Sequence, residues 1–217
     1  MCGRFALNVT DVEIRQHFGL DELEAWQPRY NIAPSLDVPV IYQGAAGRAG
    51  QRMHWGLVPH WSKGPDNRYS MINARAETVA VKPAYRDPFK RSRCLVPATG
   101  YYEWKKGADG KQPYYLRPKG ATLFALAGLW DEWQGEGGSI RSFTLITTDA
   151  NPQSAQVHDR MPVIIDPTRY DTWLMEENPD TLQAIMRPWA AELELWPVST
   201  AVNNARHESP ELIQPLT

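Results

Sequence analysis

The chain reads as an α+β fold: one strand-dominated domain with a mostly antiparallel, barrel-like core and short flanking helices. Three observations predict this. Short runs rich in β-branched and aromatic residues recur along the chain, separated by clusters of Gly, Pro, Asn and Asp. Within 217 residues there are 18 Pro and nine Trp, which implies many turns and large aromatic contacts. Helix-start signals occur only before brief segments. Internal repeats, low-complexity stretches and linkers are absent from the sequence, so residues 1–217 are expected to form a single domain. That length buries a substantial core without disulfide or metal staples.

Taken in order, "GRFAL" near the N-terminus is strand-like. Thr10 followed by Glu13 reads as a capping box, predicting a short helix that packs Val12, Ile14, Phe18 and His17 and closes at Gly19. "DELEAWQPRYNIAPS" is expected to be irregular, because Pro28 and Pro34 exclude a helix. Val38–Tyr42 and "QRMHWGLVP" read as the strands of a hairpin around "GAAGRAG". "HWSKGPDNRYSMINARAET" is mostly loop. A basic turn then leads to two strands broken at Pro97 and Gly100. "PYYLRP", "ATLFALAGLWDEW" and "SIRSFTLITTDA" continue the strand series. The Gly128, β-branched and aromatic content of the second of these favours a buried strand over a helix. "NPQSAQVHDRMPVIID" passes through a short helix and an exposed His-Asp-Arg into a strand. Helices follow over "RYDTWLM", opened by Asp166-Pro167-Thr168, and over "DTLQAIM". "LELWPVS" is the last strand.

Composition excludes several classes. Two cysteines, Cys2 and Cys94, are no disulfide framework, and no residues have metal-ligand spacing, so neither a metal nor another cofactor is expected. A reducing, cytoplasmic setting is the expectation, because the N-terminus has no apolar signal segment and no run reaches a membrane span of about 20 residues. The net charge is −2, but its distribution is uneven: between Arg48 and Lys111 lie 13 Lys plus Arg against 5 Asp plus Glu. Such a stripe is the usual footprint of a phosphate-binding face, or else a solvated surface.

Cys2 is the residue with the most unusual chemistry. Removal of Met1 would leave an amine and a thiol on adjacent carbons, with reference pKa values of about 8 and 8.5. Such a terminus traps aldehydes: the amine forms an imine and the thiol closes a five-membered thiazolidine, an intramolecular step with effective molarity of about 10⁵ M or more. The plainer alternative is a small buried cysteine. Downstream, Asn73, Arg75 and Glu77 alternate, so an extended segment would present them on one face; Asn73 could orient a backbone or ligand, Arg75 hold a phosphate, and Glu77 pair with Arg75 or Arg4. Glu103 lies between Tyr102 and Trp104, where lost hydration would raise its pKa towards general acid–base use; a surface pairing with Lys105 or Lys106 is the alternative. His158 precedes Asp159 and Arg160, in a loop that could bind an anion or do nothing special. Trp61, flanked by His60 and Ser62, suits stacking on unpaired bases, whereas Trp55 reads as core.

The opening "MCGRFA", then "RYNIAP", "WGLVPHW", "INARAET", "GYYEW", "HDRMP" and "ELIQP" stand in the order seen in SRAP proteins, the SOS-response-associated peptidase family, which the chain resembles over nearly its whole length. The resemblance implies a covalent link between the N-terminal cysteine and abasic sites in single-stranded DNA, with Cys2, Asn73, Glu103 and His158 as the catalytic set. It implies that Arg4, Arg75 and Arg160 grip the DNA backbone, and that Pro34 and Trp61 form the wedge where bases unstack. Some relatives carry a second aromatic where this chain has Ser62, a departure from the family pattern that leaves the stacking to Trp61. The implied state is a monomeric cap on DNA without membrane contact. A thiol peptidase using the same N-terminal nucleophile, without a DNA role, is the alternative; it has no need of the basic stripe.

Overall fold

A computed structural model describes residues 2–65, 71–108 and 110–216. Thirteen strands and four α-helices are assigned among these. The first half contains β1 (Phe5–Leu7), α1 (Asp11–Phe18), β2 (Arg29–Ile32), β3 (Asp37–Gly44), β4 (Gly47–Trp55), β5 (Asn73–Arg75), α2 (Arg86–Arg91) and β6 (Arg93–Ala98). The second contains β7 (Gly100–Gly107), β8 (Gly110–Pro118), β9 (Phe124–Gly135), β10 (Gly138–Asp149), β11 (Arg160–Pro162), β12 (Ile164–Ile165), α3 (Tyr170–Met175), α4 (Pro179–Ile185) and β13 (Leu193–Pro197).

The strands form two sheets. In the larger one, β10, β4, β3, β6 and β9 follow one another, and β9 pairs back onto β10, so five strands close into a barrel. Closure removes the exposed edges of the ring. Pairing is mostly antiparallel, but β4 and β5 both run parallel to β10. The smaller sheet has the order β13-β8-β7-β1-β2. Its middle strand β7 belongs to two apolar clusters at once. Tyr102 and Trp104 pack with Ala6, Tyr115, Val198 and Leu212, whereas Tyr101 joins the main cluster that holds Cys2, Phe5 and the barrel interior. That split is the period-2 alternation of a strand covered on both faces.

The helix predicted at Thr10 forms with both capping-box bonds, and Gly19 closes it in the left-handed conformation (φ 66°). Ile14 and Phe18 are buried, one turn apart; Val12 is 45% exposed and His17 lies on the rim, its Nε2 3.1 Å from Tyr170 Oη. The packed side is therefore narrower than expected: Val12 stands two residues from Ile14, a step that turns it off the buried stripe. The β3–β4 hairpin forms as predicted, with Val40 opposite Gln51. Three expectations need correction. Residues 29–32, expected to be irregular, form β2 and pair with β1; Pro28 and Pro34 bar a helix but flank a short strand without entering it. The basic turn contains α2, whose Pro88 lies in the first turn, where a missing N–H costs nothing. Strand β6 runs through Pro97 to Ala98, because there it pairs only with β9 on one side.

Candidate active site

Cys2 lies just ahead of β1 and is fully buried. Its carbonyl oxygen accepts a 2.8 Å hydrogen bond from Asn73 Nδ2. Strand β5 thereby fixes the N-terminal segment from the barrel side, and Tyr102 N donates to Arg4 O (3.0 Å) from the β7 side. Asn73 in turn is held by the parallel pairing of β5 with β10, where it stands opposite Leu145. Burial raises the pKa of the Cys2 thiol far above its ordinary value, and the nearby Glu103 carboxylate adds to the rise. In this resting state the thiol is protonated.

Glu103 is 3% exposed on β7. The register that sets Phe5 opposite Tyr101 brings the start of β1 alongside it. Burial pushes its carboxyl up to about 7, with Asp159 contributing in the same direction. The alternative of a surface Glu paired with Lys105 or Lys106 is thereby excluded: those two residues are exposed, beyond the point where β7 leaves the core. A carboxyl poised near 7 is half charged at neutral pH and moves protons both ways.

His158 lies before β11, half-buried. Its Nδ1 accepts the Arg160 backbone N–H at 3.0 Å and lies 2.9 Å from Asp159 Oδ1. Burial lowers the ring's pKa, and Asp159 offsets part of that fall. Nδ1 thus faces both a backbone N–H and a carboxylate oxygen, which fix the ring's orientation. β11, which follows His158, pairs with the same β10 that holds β5, so one strand supports both the segment of Asn73 and that of His158.

The residues assigned to DNA are placed unequally. Arg75 is exposed at the end of β5. Glu77 does not share its face: β5 ends at Arg75, and the turn that follows carries Glu77 to Arg160, 2.6 Å away, rather than to Arg75 or Arg4. Arg160 is not an exposed cation as the sequence suggested. Its guanidinium is held by Glu77, Asp149 (2.7 Å) and Thr147 O (2.8 Å). Arg4 Nη1 donates to Asn31 Oδ1 and Val202 O, both at 2.7 Å, and so ties the N-terminus to β2 and to the 3₁₀ turn at 200–203. Pro34 follows β2 and precedes Ser35, whose φ of 71° is the one positive value among the described non-glycine residues. Ser35 N bonds Trp55 O (2.9 Å), linking this corner to the end of β4. Trp61 is 56% exposed. Its loop is fastened on both sides: His60 N donates to Asp131 Oδ2 (2.9 Å), and Trp133 Nε1 donates to Ser62 O (3.0 Å). Trp55 is fully buried.

Sequence reasoning missed Tyr101. Its neighbours in "GYYEW" drew attention to the glutamate, but the phenol two residues earlier shares the glutamate's side of the strand. Loss of a proton by Tyr101 is opposed by burial and by the charges of both Cys2 and Glu103. That i, i+2 spacing was the available signal. Met1 lies outside the described residues, as do 66–70 of the long loop. Among the described residues no three His, Cys, Asp or Glu side chains gather as a metal site, and no helix is long and apolar enough to cross a membrane.

A five-stranded barrel with a second sheet laid against it, and a buried Cys2 held by the Asn73 amide beside the Glu103 carboxyl, set the class of protein to which the chain compares. The chain belongs to the SRAP family: the family described as SOS response associated peptidase (SRAP) matches residues 1–205. The Bacillus subtilis (strain 168) protein named abasic site processing protein YoqW is 40% identical over 223 residues, covering 99% of each chain. The Gallus gallus abasic site processing protein HMCES is 30% identical over 263 residues, covering 100% of this chain and 78% of that one. A crystal structure of a Bacteroides thetaiotaomicron protein superposes with a TM-score of 0.89 at 24% identity over the full length of both chains, which shows the shared fold.

Proposed function

We propose that this protein captures the aldehyde of a ring-opened abasic site in single-stranded DNA and joins it covalently to Cys2 as a thiazolidine, shielding the lesion. The observation that carries this reading is the enclosure of Cys2 by Asn73 and by Glu103, whose carboxyl is poised at about 7. The printed names of the relatives, abasic site processing proteins, supply the substrate class.

The chemistry begins when Met1 is removed; while it is attached, the Cys2 nitrogen is an amide and cannot form an imine. The freed amine attacks C1′ of the sugar, and Glu103 passes protons as water leaves and the imine forms. The thiol then adds to the imine carbon and closes the ring. Asn73 holds the Cys2 carbonyl, so amine and thiol stay aimed at one carbon. His158 donates a proton to the sugar ring oxygen during opening. Arg75 contacts phosphate directly, Arg4 and Arg160 act from their fixed positions, and Trp61 with Pro34 separates stacked bases. The protein acts as a monomer. A peptidase without a DNA role would leave the exposed Arg75 and the fastened, exposed Trp61 without a purpose.

The test uses Met1-free protein and a single-stranded oligonucleotide with one abasic site. A shifted band on a denaturing gel is expected, lost in Cys2→Ala and lost when the aldehyde is reduced beforehand. No shift with wild-type protein whose Met1 is absent by mass would end the proposal.

A further inference from the structure

The chemistry above leaves one buried phenol without a task. Strand β7 directs Tyr101 and Glu103 to one face and Tyr102 and Trp104 to the other. Tyr101 accordingly belongs to the apolar cluster of Cys2, whereas Tyr102 belongs to the smaller one. Two neighbouring buried tyrosines have ordinary partners: Tyr102 Oη donates to Tyr30 O at 2.6 Å, and the Tyr115 hydroxyl bonds Thr99. Tyr101 is fully enclosed, yet its hydroxyl has no hydrogen-bond partner among the described residues. Phenylalanine would fill the same space without stranding a polar group. An enclosed hydroxyl left unsatisfied beside a nucleophile is what a group reserved for a charge that appears only during reaction looks like. Burial and the charges of Cys2 and Glu103 hold the phenol in its protonated, donating form.

We propose that Tyr101 is a further catalytic residue, whose Oη–H donates a hydrogen bond to Cys2 Sγ as the thiol closes onto the imine. This deepens the reading above and rests on it. In the step, the Sγ–H bond breaks and its proton passes to the Glu103 carboxylate. The sulfur electron pair forms the bond to C1′, and the C=N π pair returns to the nitrogen of the iminium. The products are a neutral thiazolidine and a neutral Glu103. Tyr101 keeps its proton throughout. Its service is to solvate the developing thiolate in a pocket that otherwise opposes that charge.

The test separates the two stages. Tyr101→Phe and wild type, both Met1-free, are mixed with abasic single-stranded DNA and quenched with borohydride, which fixes the imine; Cys2 in the adduct is then alkylated. An alkylatable Cys2 marks the imine stage and a blocked one the closed ring. Tyr101→Phe is expected to form imine at the wild-type rate, to close the ring about 10²-fold more slowly, and to melt no lower than wild type. Replacement of Tyr101 by difluorotyrosine, a stronger donor of similar shape, is expected to close at least as fast as wild type. Wild-type closure rates in Tyr101→Phe, or a lowered melting temperature with both stages equally slowed, would overturn the role. If wild type forms neither imine nor ring, the function itself fails, and this role with it.

Discussion

Glu103 holds a raised pKa because β7 carries it into a region from which water is excluded, not because of a single strong neighbour. The proton accordingly binds the folded chain more tightly than the unfolded one, where the ordinary value is 4.5. Stability from this group is fully present below about pH 4.5 and is lost as pH rises towards 7. Above pH 7, Glu103→Gln is expected to be more stable than wild type, by about 3 kcal/mol as an upper figure. The same variant should crosslink far more slowly, and the wild-type rate should climb as rising pH deprotonates Glu103. A flat pH–rate profile, or a Gln variant that melts below wild type at pH 8, would contradict the assignment. Asn73→Ala is expected to slow crosslinking by about 10²-fold by freeing the Cys2 carbonyl, with noncovalent DNA affinity unchanged; single-turnover rates and a binding titration check the two halves. Glu103 was readable in sequence because its aromatic neighbours announce burial. The ties of Arg4 to Val202 and of Arg160 to Glu77 were not, since their partners lie 198 and 83 residues away.

Among the elements, α1 follows most directly from its residues: Thr10, Glu13 and Gly19 set both ends before any tertiary contact is made. Thr10→Ala is expected to cost about 1 kcal/mol in chemical denaturation with activity preserved. Strand β7 is different, because its start is fixed by packing. A Cβ on Gly100 would stand 2.1 Å from Cζ of Tyr115, so Gly100→Ala must displace a fully buried ring or the strand that carries Glu103. A loss of about 1–3 kcal/mol is expected, together with slower crosslinking. An alanine variant as stable and active as wild type would mean that the strand entry tolerates movement. Strand β2 and helix α2 were hidden by their prolines, which mark where a helix cannot continue but not where a short strand or a first turn fits.

The whole molecule depends on β10, which meets β9, β4, β5 and β11 along its 12 residues. That strand closes the barrel and supports β5, whose Asn73 holds Cys2, and nothing local in "SIRSFTLITTDA" specifies so many partners. The basic stripe also looks different in three dimensions. Arg93 is 5% exposed and caps backbone carbonyls of α2 and α3, Arg48 pairs with Asp171, and Arg52 with Glu24. Fewer of the 13 cations are therefore available to phosphate than the count implied. Noncovalent binding to single-stranded DNA should still weaken with salt, with a log–log slope of about −0.7 per phosphate engaged. Substitution of the exposed Arg75 should reduce that slope by about one such unit; an unchanged slope would remove Arg75 from the DNA face.

In the proposed chemistry a single residue, Cys2, closes a ring on the lesion. Its most direct measurement is the intact mass and thiol status of the adduct. The expected mass is that of Met1-free protein plus abasic oligonucleotide minus one water, with the crosslinked peptide beginning at Cys2 and its thiol refractory to alkylation. An adduct attached elsewhere in the chain, or one whose Cys2 thiol remains free to alkylate, would contradict it.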